Sequence, residues 1–243
     1  MTLVWRPGYL AEGDPYFSNV ALLLHGNGTN GSTTITDSSP TPKTVTAVGN
    51  AQISTAQSKF GGASIVFNGS SGDSLLVPQS NSFEFPDAFT METWVRLNSL
   101  PNNYTAFVES VNFNNENAQW HFGISNQNKL LWYYHYPSRG VLNSYNQSSA
   151  SLPTGAWIHC AVTRDLSGSG KLFINGVQDG SFSELGSFIN IQPNPYNIGR
   201  SKIGGSYTSS LNGYIDDLRI TKGVARYTAN FTPPDAPFPD AQY

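Results

Sequence analysis

Cysteine, charge and long apolar runs are scarce in this chain, and each scarcity removes a class of function. Among 243 residues there is one cysteine, Cys160. It cannot form an internal disulfide or a thiolate metal cluster, and its place in the apolar run Ile158 to Val162 marks a small buried hydrophobe, compatible with synthesis in a reducing compartment. Charged residues make up 12% of the chain, with 13 Lys+Arg against 16 Asp+Glu and no long run of either sign. Nucleic acid, which is bound through clustered cations and counterion release, is therefore set aside as a partner. No stretch reaches the eighteen apolar residues of a membrane span, and the start, MTLVWRPGYLAEGDPYF, lacks the basic-then-apolar pattern of a secretory signal. The expectation is a protein made in a cytoplasm, with no membrane partner.

Catalytic signatures are missing as well. There is no Gly-x-Ser-x-Gly elbow, His-Glu-x-x-His pair, phosphate loop or dinucleotide fingerprint. His25, His121, His135 and His159 stand in separate strand-like segments and read as satisfied sheet residues. A retaining glucanase needs two carboxylates about 5 Å apart, typically from glutamates alternating along one strand. The nearest cluster, Glu109 with Glu116, is interrupted, and adjacent Asp216 and Asp217 point to opposite faces of a regular strand. The chain is expected not to be an enzyme.

What is abundant is glycine (23), proline (15) and aromatic residues (13%), the composition of many short strands joined by tight turns. Apolar or alternating runs read as strands at Val20 to His25, Thr44 to Val48, Ser64 to Phe67, Ser74 to Val77, Phe89 to Arg96, Ala106 to Ser110, Gln119 to Ile124, Lys129 to Tyr134, Trp157 to Arg164, Tyr196 to Gly199 and Gly213 to Thr221. Asn175-Gly176, inside Lys171 to Gln178, is the best two-residue hairpin signal. In Phe89 to Arg96 both faces carry bulk, so a central strand is expected there. The fold class that follows is all-β: two antiparallel sheets packed as a jelly-roll β-sandwich over residues 19–232. An extended arm over residues 1–18 precedes it, and a proline-rich tail over 233–243, either hugging the surface or free, follows. The arm's Trp5, Tyr9, Tyr16 and Phe17 either pack back on the domain or dock on a neighbouring subunit.

The densest aromatic block, Leu130 to Gly140, places Trp132, Tyr134 and Tyr136 on one strand face and Leu131, Tyr133 and His135 on the other. Aromatic faces stack on sugar rings and nearby polar groups bond hydroxyls, so Trp132, Tyr134, Tyr136, Arg139 and Asn143 form a candidate glycan platform. The alternative is that these aromatics fill the space between sheets or a subunit interface. The polar run Asn112 to Gln119 is a second candidate surface.

Several segments, in order, are similar to one family: Lys59 to Phe85, FTMETWVRLNSLP (Phe89 to Pro101), GAWIHCAVTRD (Gly155 to Asp165), LFINGVQDG (Leu172 to Gly180), NIGRS (Asn197 to Ser201) and GYIDDLRITKGVARYTANFTPP (Gly213 to Pro234). Together they resemble the concanavalin A-like, laminin-G-type jelly-roll domains of tailed-bacteriophage virion and tail-fibre proteins. The resemblance implies a virion location, as a tail-fibre, tail-associated or head-decoration component. Its implied partners are other virion proteins, host-surface polysaccharide and copies of the same chain. A free lectin and, further off, a polysaccharide hydrolase are the alternatives. Some relatives hold calcium near the chain ends, which nominates Asp37 and Asp216 as ligands, although Asn27 stands where a carboxylate is usual. Against calcium, Asp37 can cap a turn and Asp216 or Asp217 can pair with Arg219 or Arg200.

Overall fold

The computed structural model describes residues 13–70, 72–110, 119–136, 141–187, 195–202 and 209–242, with the backbone alone for Tyr136 and residues 141–143. Trp5, Tyr9, Arg139, Glu116 and most of the run from Asn112 lie outside the described residues, as do the side chains of Tyr136 and Asn143.

Two eight-stranded antiparallel sheets face each other. The first contains β1 (Val20–Leu24), β4 (Gln52–Ser54), β5 (Ser64–Asn68), β7 (Phe89–Leu97), β12 (Trp157–Arg164), β13 (Ser169–Ile174), β14 (Val177–Ser183) and β18 (Asn212–Lys222). Its order is β14-β13-β12-β7-β18-β5-β4, and β1 also pairs with β18. The second contains β2 (Thr34–Ile35), β3 (Val45–Val48), β6 (Ser74–Val77), β8 (Thr105–Ser110), β9 (Gln119–Ile124), β10 (Lys129–Tyr136), β11 (Val141–Ser151) and β15 (Tyr196–Ile198). Its order is β11-β10-β9-β8-β15-β6-β3-β2. A short ribbon of β16 (Arg200–Ser201) and β17 (Ser209–Ser210) stands beside it. The expected jelly-roll-like sandwich is what forms.

The alternation of each strand supplies the core. Phe89, Met91, Val95 and Leu97 of β7 meet Trp120, Phe122 and Ile124 of β9 and Trp132 of β10, all sealed from solvent. Trp132 lies 5.0 Å from Phe89 and stacks on Trp120 at 6.2 Å, and Trp120 stacks on Tyr196 at 5.7 Å. Such contacts add about 1 kcal/mol each beyond the area they bury. A regular β18 would turn Ile215 away from Leu218 and Ile220. Instead a bulge between Asp216 and Arg219, with Asp217 at φ 47°, resets the alternation so that all three enter the core.

The outer face of the first sheet is covered as well, because β7 sends Glu92 and Trp94 to that side. Glu92 is fully buried: Nε and Nη2 of Arg219 donate to its Oε1 at 3.0 and 2.7 Å, and the Tyr227 hydroxyl donates to Oε2 at 2.7 Å. Burial alone would raise the Glu92 pKa, but the charge of Arg219 and the neighbouring His159 hold it well below the usual carboxylate range. Asp14 pairs with Arg226 and Arg219, and its backbone N–H donates to Ala241 O. The tail thus lies along the surface, with Phe238 buried against Val20 and Leu23. Tyr16 and Phe17 pack back on the domain, the first of the two readings of the arm. Phe17 packs on the Phe238 cluster, and the Arg226 guanidinium stands 5.4 Å from the Tyr16 ring.

Candidate functional site

The outward face of the second sheet carries a single row of residues running across its strands. Tyr145 of β11 pairs with Tyr133 of β10, Tyr133 with His121 of β9, and His121 with Glu109 of β8. Glu109 pairs in turn with Asn197 of β15, and Asn197 with Leu76 of β6. Directly opposed residues in antiparallel strands share a face, so these side chains form one transverse strip.

The strip is aromatic at one end and polar at the other. Tyr133 and Tyr145 have ring centroids 4.8 Å apart, and Tyr104, just before β8, adds a third ring 5.8 Å from Tyr145. Tyr145 is 42% exposed while Tyr133 is buried beside it. Burial first, then the neighbouring tyrosines, push both hydroxyl pKa values up, so both stay protonated as donors through neutral pH. Further along, His121 Nδ1 lies 3.0 Å from Glu109 Oε2, and Ser201 Oγ donates to the same oxygen at 3.0 Å. Gly123 makes room for this arrangement, since a Cβ there would come within 2.7 Å of His121 Nε2 and 2.2 Å of Thr105 O. Among the described residues Glu109 Oε1, His121 Nε2 and Asn197 Oδ1 are buried with no hydrogen-bond partner.

Of the two readings of the aromatic block, filling the space between the sheets is the one that holds for Trp132 and Tyr134. Trp132 is wholly enclosed and Tyr134 is 4% exposed, both inside the core between the sheets. A ring packed between sheets cannot stack on a sugar, so neither serves a glycan platform. The outward residues are Tyr133 and His135, and the ladder partner Tyr145 lies on β11, a segment too polar to read as a strand.

Calcium does not fit the nominated aspartates. Asp37 Oδ1 accepts from the backbone N–H groups of Leu23 and Ser39, and Oδ2 from Ser39 Oγ and Lys43 N, so protein donors occupy the space a cation would need. Asp216 Oδ2 accepts from Lys59 N and Phe60 N. Burial pushes its pKa up to about 7, against those two bonds, with Asp217 adding to the rise. Among the described residues no group of three or more His, Cys, Asp or Glu side chains could hold a metal. The aspartates also avoid Arg200 and Arg219. Asp217 Oδ1 lies 2.5 Å from His25 Nδ1, and its Oδ2 accepts from Phe238 N. Cys160 is sealed in the core, where burial pushes its thiol pKa up and leaves it unreactive.

Solved structures share the architecture. Domain 4 of AbnA, a GH43 extracellular arabinanase from Geobacillus stearothermophilus in complex with arabinotriose, superposes with a TM-score of 0.60 at 18% identity, over 85% of this chain and 94% of that one. The binding domain of Paraclostridial Mosquitocidal Protein 1 gives 0.63 at 19% identity, over 85% and 49%. The receptor binding domain of botulinum neurotoxin D gives 0.61 at 19% identity, over 86% and 51%. The chain thus spans about half the length of those two toxin binding domains, and the likeness is one of fold. No curated protein sequence matches it. The family model Laminin_G_3, described as concanavalin A-like lectin/glucanases superfamily, matches residues 68–226, and the chain belongs to that superfamily.

Proposed function

We propose that the chain is a non-enzymatic structural protein of a tailed-bacteriophage virion, in a tail fibre, tail-associated part or head decoration, which presents the outer face of its second sheet to host-surface glycans. The observation that carries the binding part is the ladder Tyr104–Tyr145–Tyr133 leading into the buried polar row of His121, Glu109 and Asn197. The exposed Tyr145 ring, braced by Tyr133 at 4.8 Å and flanked by the half-buried Tyr104 at 5.8 Å, offers a stacking surface to a sugar ring. The fold neighbours include a domain solved with arabinotriose and a receptor binding domain, which makes saccharide or receptor recognition a natural use of this scaffold. The non-enzymatic reading is supported by how the buried carboxylates are engaged. Glu92 is held by arginine and tyrosine and Asp14 by two arginines, and Oε2 of Glu109 by histidine and serine. Other virion proteins and copies of the same chain are the assembly partners of this reading.

A glycan array probed with the full chain and with Tyr145→Ala tests the binding. The exposed ring contributes little to packing, so the variant is expected to melt within a few degrees of the parent while losing about tenfold in affinity for the bound glycan. An array without specific signal, or unchanged binding by the variant, overturns the glycan part. Mass spectrometry of intact particles tests the location, and absence from the virion ends that part.

A further inference from the structure

A cleft of about 540 Å³ opens between the start of β1, the loop after Asp37, the turn Asn81–Phe83 and the end of β18. None of its lining residues belongs to β8, β9, β10 or β11, so it is separate from the tyrosine ladder. Two lysines face it. Lys43 Nζ donates to Ala21 O at 2.5 Å and Thr41 O at 2.7 Å and stands 5.5 Å from the Phe83 ring, an arrangement that fixes the ammonium in place. Lys222 Nζ donates to Asn81 O at 2.8 Å.

Among the described residues neither ammonium is in an ion pair. Asp37, whose field reaches Lys43, already has both oxygens filled by four donors, and Asp87 is the one carboxylate in the lining. The lining itself thus carries two cations and one anion, with the charge of Asp37 set behind Lys43, on a chain of net charge −3. Desolvation lowers the Lys43 pKa, against the opposing pull of Asp37.

The walls narrow the class of anion. Ser18, Thr41, Asn81 and Ser82 supply side chains that both donate and accept, and Pro40 and Pro86 supply ring carbons. The volume lies in the range of small-molecule sites and far exceeds that of one inorganic ion. We infer that this cleft is a second binding site, for a saccharide unit bearing a carboxylate, of the uronic-acid class. The cations meet the carboxylate and the hydroxyl and amide groups meet the ring hydroxyls.

The test is calorimetric titration of the full chain at low salt with trigalacturonate, neutral maltotriose and inorganic phosphate. Trigalacturonate is expected to bind, more weakly as salt rises, while maltotriose does not. Lys222→Gln, which keeps a donor toward Asn81 O, is expected to weaken trigalacturonate about fivefold, and Asp87→Asn to strengthen it about twofold. Tyr145→Ala is expected to leave it unchanged, which separates this site from the ladder. No heat with trigalacturonate, an unchanged affinity in Lys222→Gln, or displacement by equimolar phosphate would overturn the inference.

Discussion

At the scale of single residues, the pair Asp216-Asp217 shows how position overrides chemical type. A sequence offers two adjacent carboxylates, which read as ligands or salt-bridge partners. The structure spends them on backbone amides and a histidine, because the bulge at Asp217, with φ 47°, swings them toward Lys59, Phe60, His25 and Phe238. A bulge of this kind has no one-residue signature, so the partners were not legible. A pH effect follows for Asp216, whose pKa is 3.8 in an ordinary setting and about 7 in the fold. The native state binds that proton more tightly than the unfolded state does, so the contribution of Asp216 to stability is full below about pH 4 and falls as pH rises toward 7. The slope reaches at most about 1.4 kcal/mol per pH unit. Asp216→Asn keeps an oxygen for the amides of Lys59 and Phe60 and removes the ionisation. Urea midpoints of parent and variant are expected to diverge between about pH 5 and 7, with the variant the more stable above. Burial opposes protonation of His25, but Asp217 outweighs it and raises its pKa, so its own contribution fades only above its ordinary 6.5. The Asp216 charge also helps to raise the His25 pKa, so the difference between the two curves reports Asp216 itself below pH 6.5, and parallel curves there would refute its role.

At the scale of elements, β10 shows what periodicity can and cannot decide. Alternation divides it correctly into a row with Trp132 and Tyr134 and a row with Tyr133 and His135. Both rows are aromatic, so hydrophobicity alone does not say which one points inward. The neighbouring strand does: Trp132 and Tyr134 oppose Phe122 and Trp120, whereas Tyr133 opposes His121. The apolar row of β9 fixes the inward face of the pair. β11 was not legible as a strand, since NSYNQSSAS lacks an apolar face and forms the edge of its sheet. Its pairing with β10 is nonetheless what places Tyr145 beside Tyr133. Trp132→Ala is therefore expected to behave as a core truncation, costing about 3–5 kcal/mol. A chemical denaturation series measures it. A cost within about 0.5 kcal/mol, the range of a surface substitution, would place the ring outside the core.

At the scale of the whole molecule, the family match ends at residue 226, but the burial of the first sheet does not. Beyond that point Tyr227 stacks on Phe231 with centroids 3.6 Å apart, and Phe231 and Phe238 present edges to His159. Phe231 N donates to Gly176 O at 2.9 Å, tying the tail to the Asn175-Gly176 hairpin. The aromatic side chains of residues 227–238 explain why this segment stays down. Without the tail, Glu92 would lose the Tyr227 hydroxyl, Asp14 would lose the bidentate Arg226, and Phe173, Val20 and Leu23 would meet water. A buried charge that loses part of its partner set costs several kcal/mol, and each uncovered apolar side chain adds about 2 kcal/mol. Together these approach the whole stability of an ordinary domain. Truncation after Gly223 is expected to yield a protein that binds a hydrophobic dye and shows no cooperative melt. Truncation after Phe238, which spares the aromatic cover and removes the Asp14 N to Ala241 O bond, is expected to cost only about 1 kcal/mol. Calorimetry on both lengths decides: equal melting of the shorter form and the full chain would make the tail an ornament, whereas a collapse confined to the shorter form makes it part of the fold.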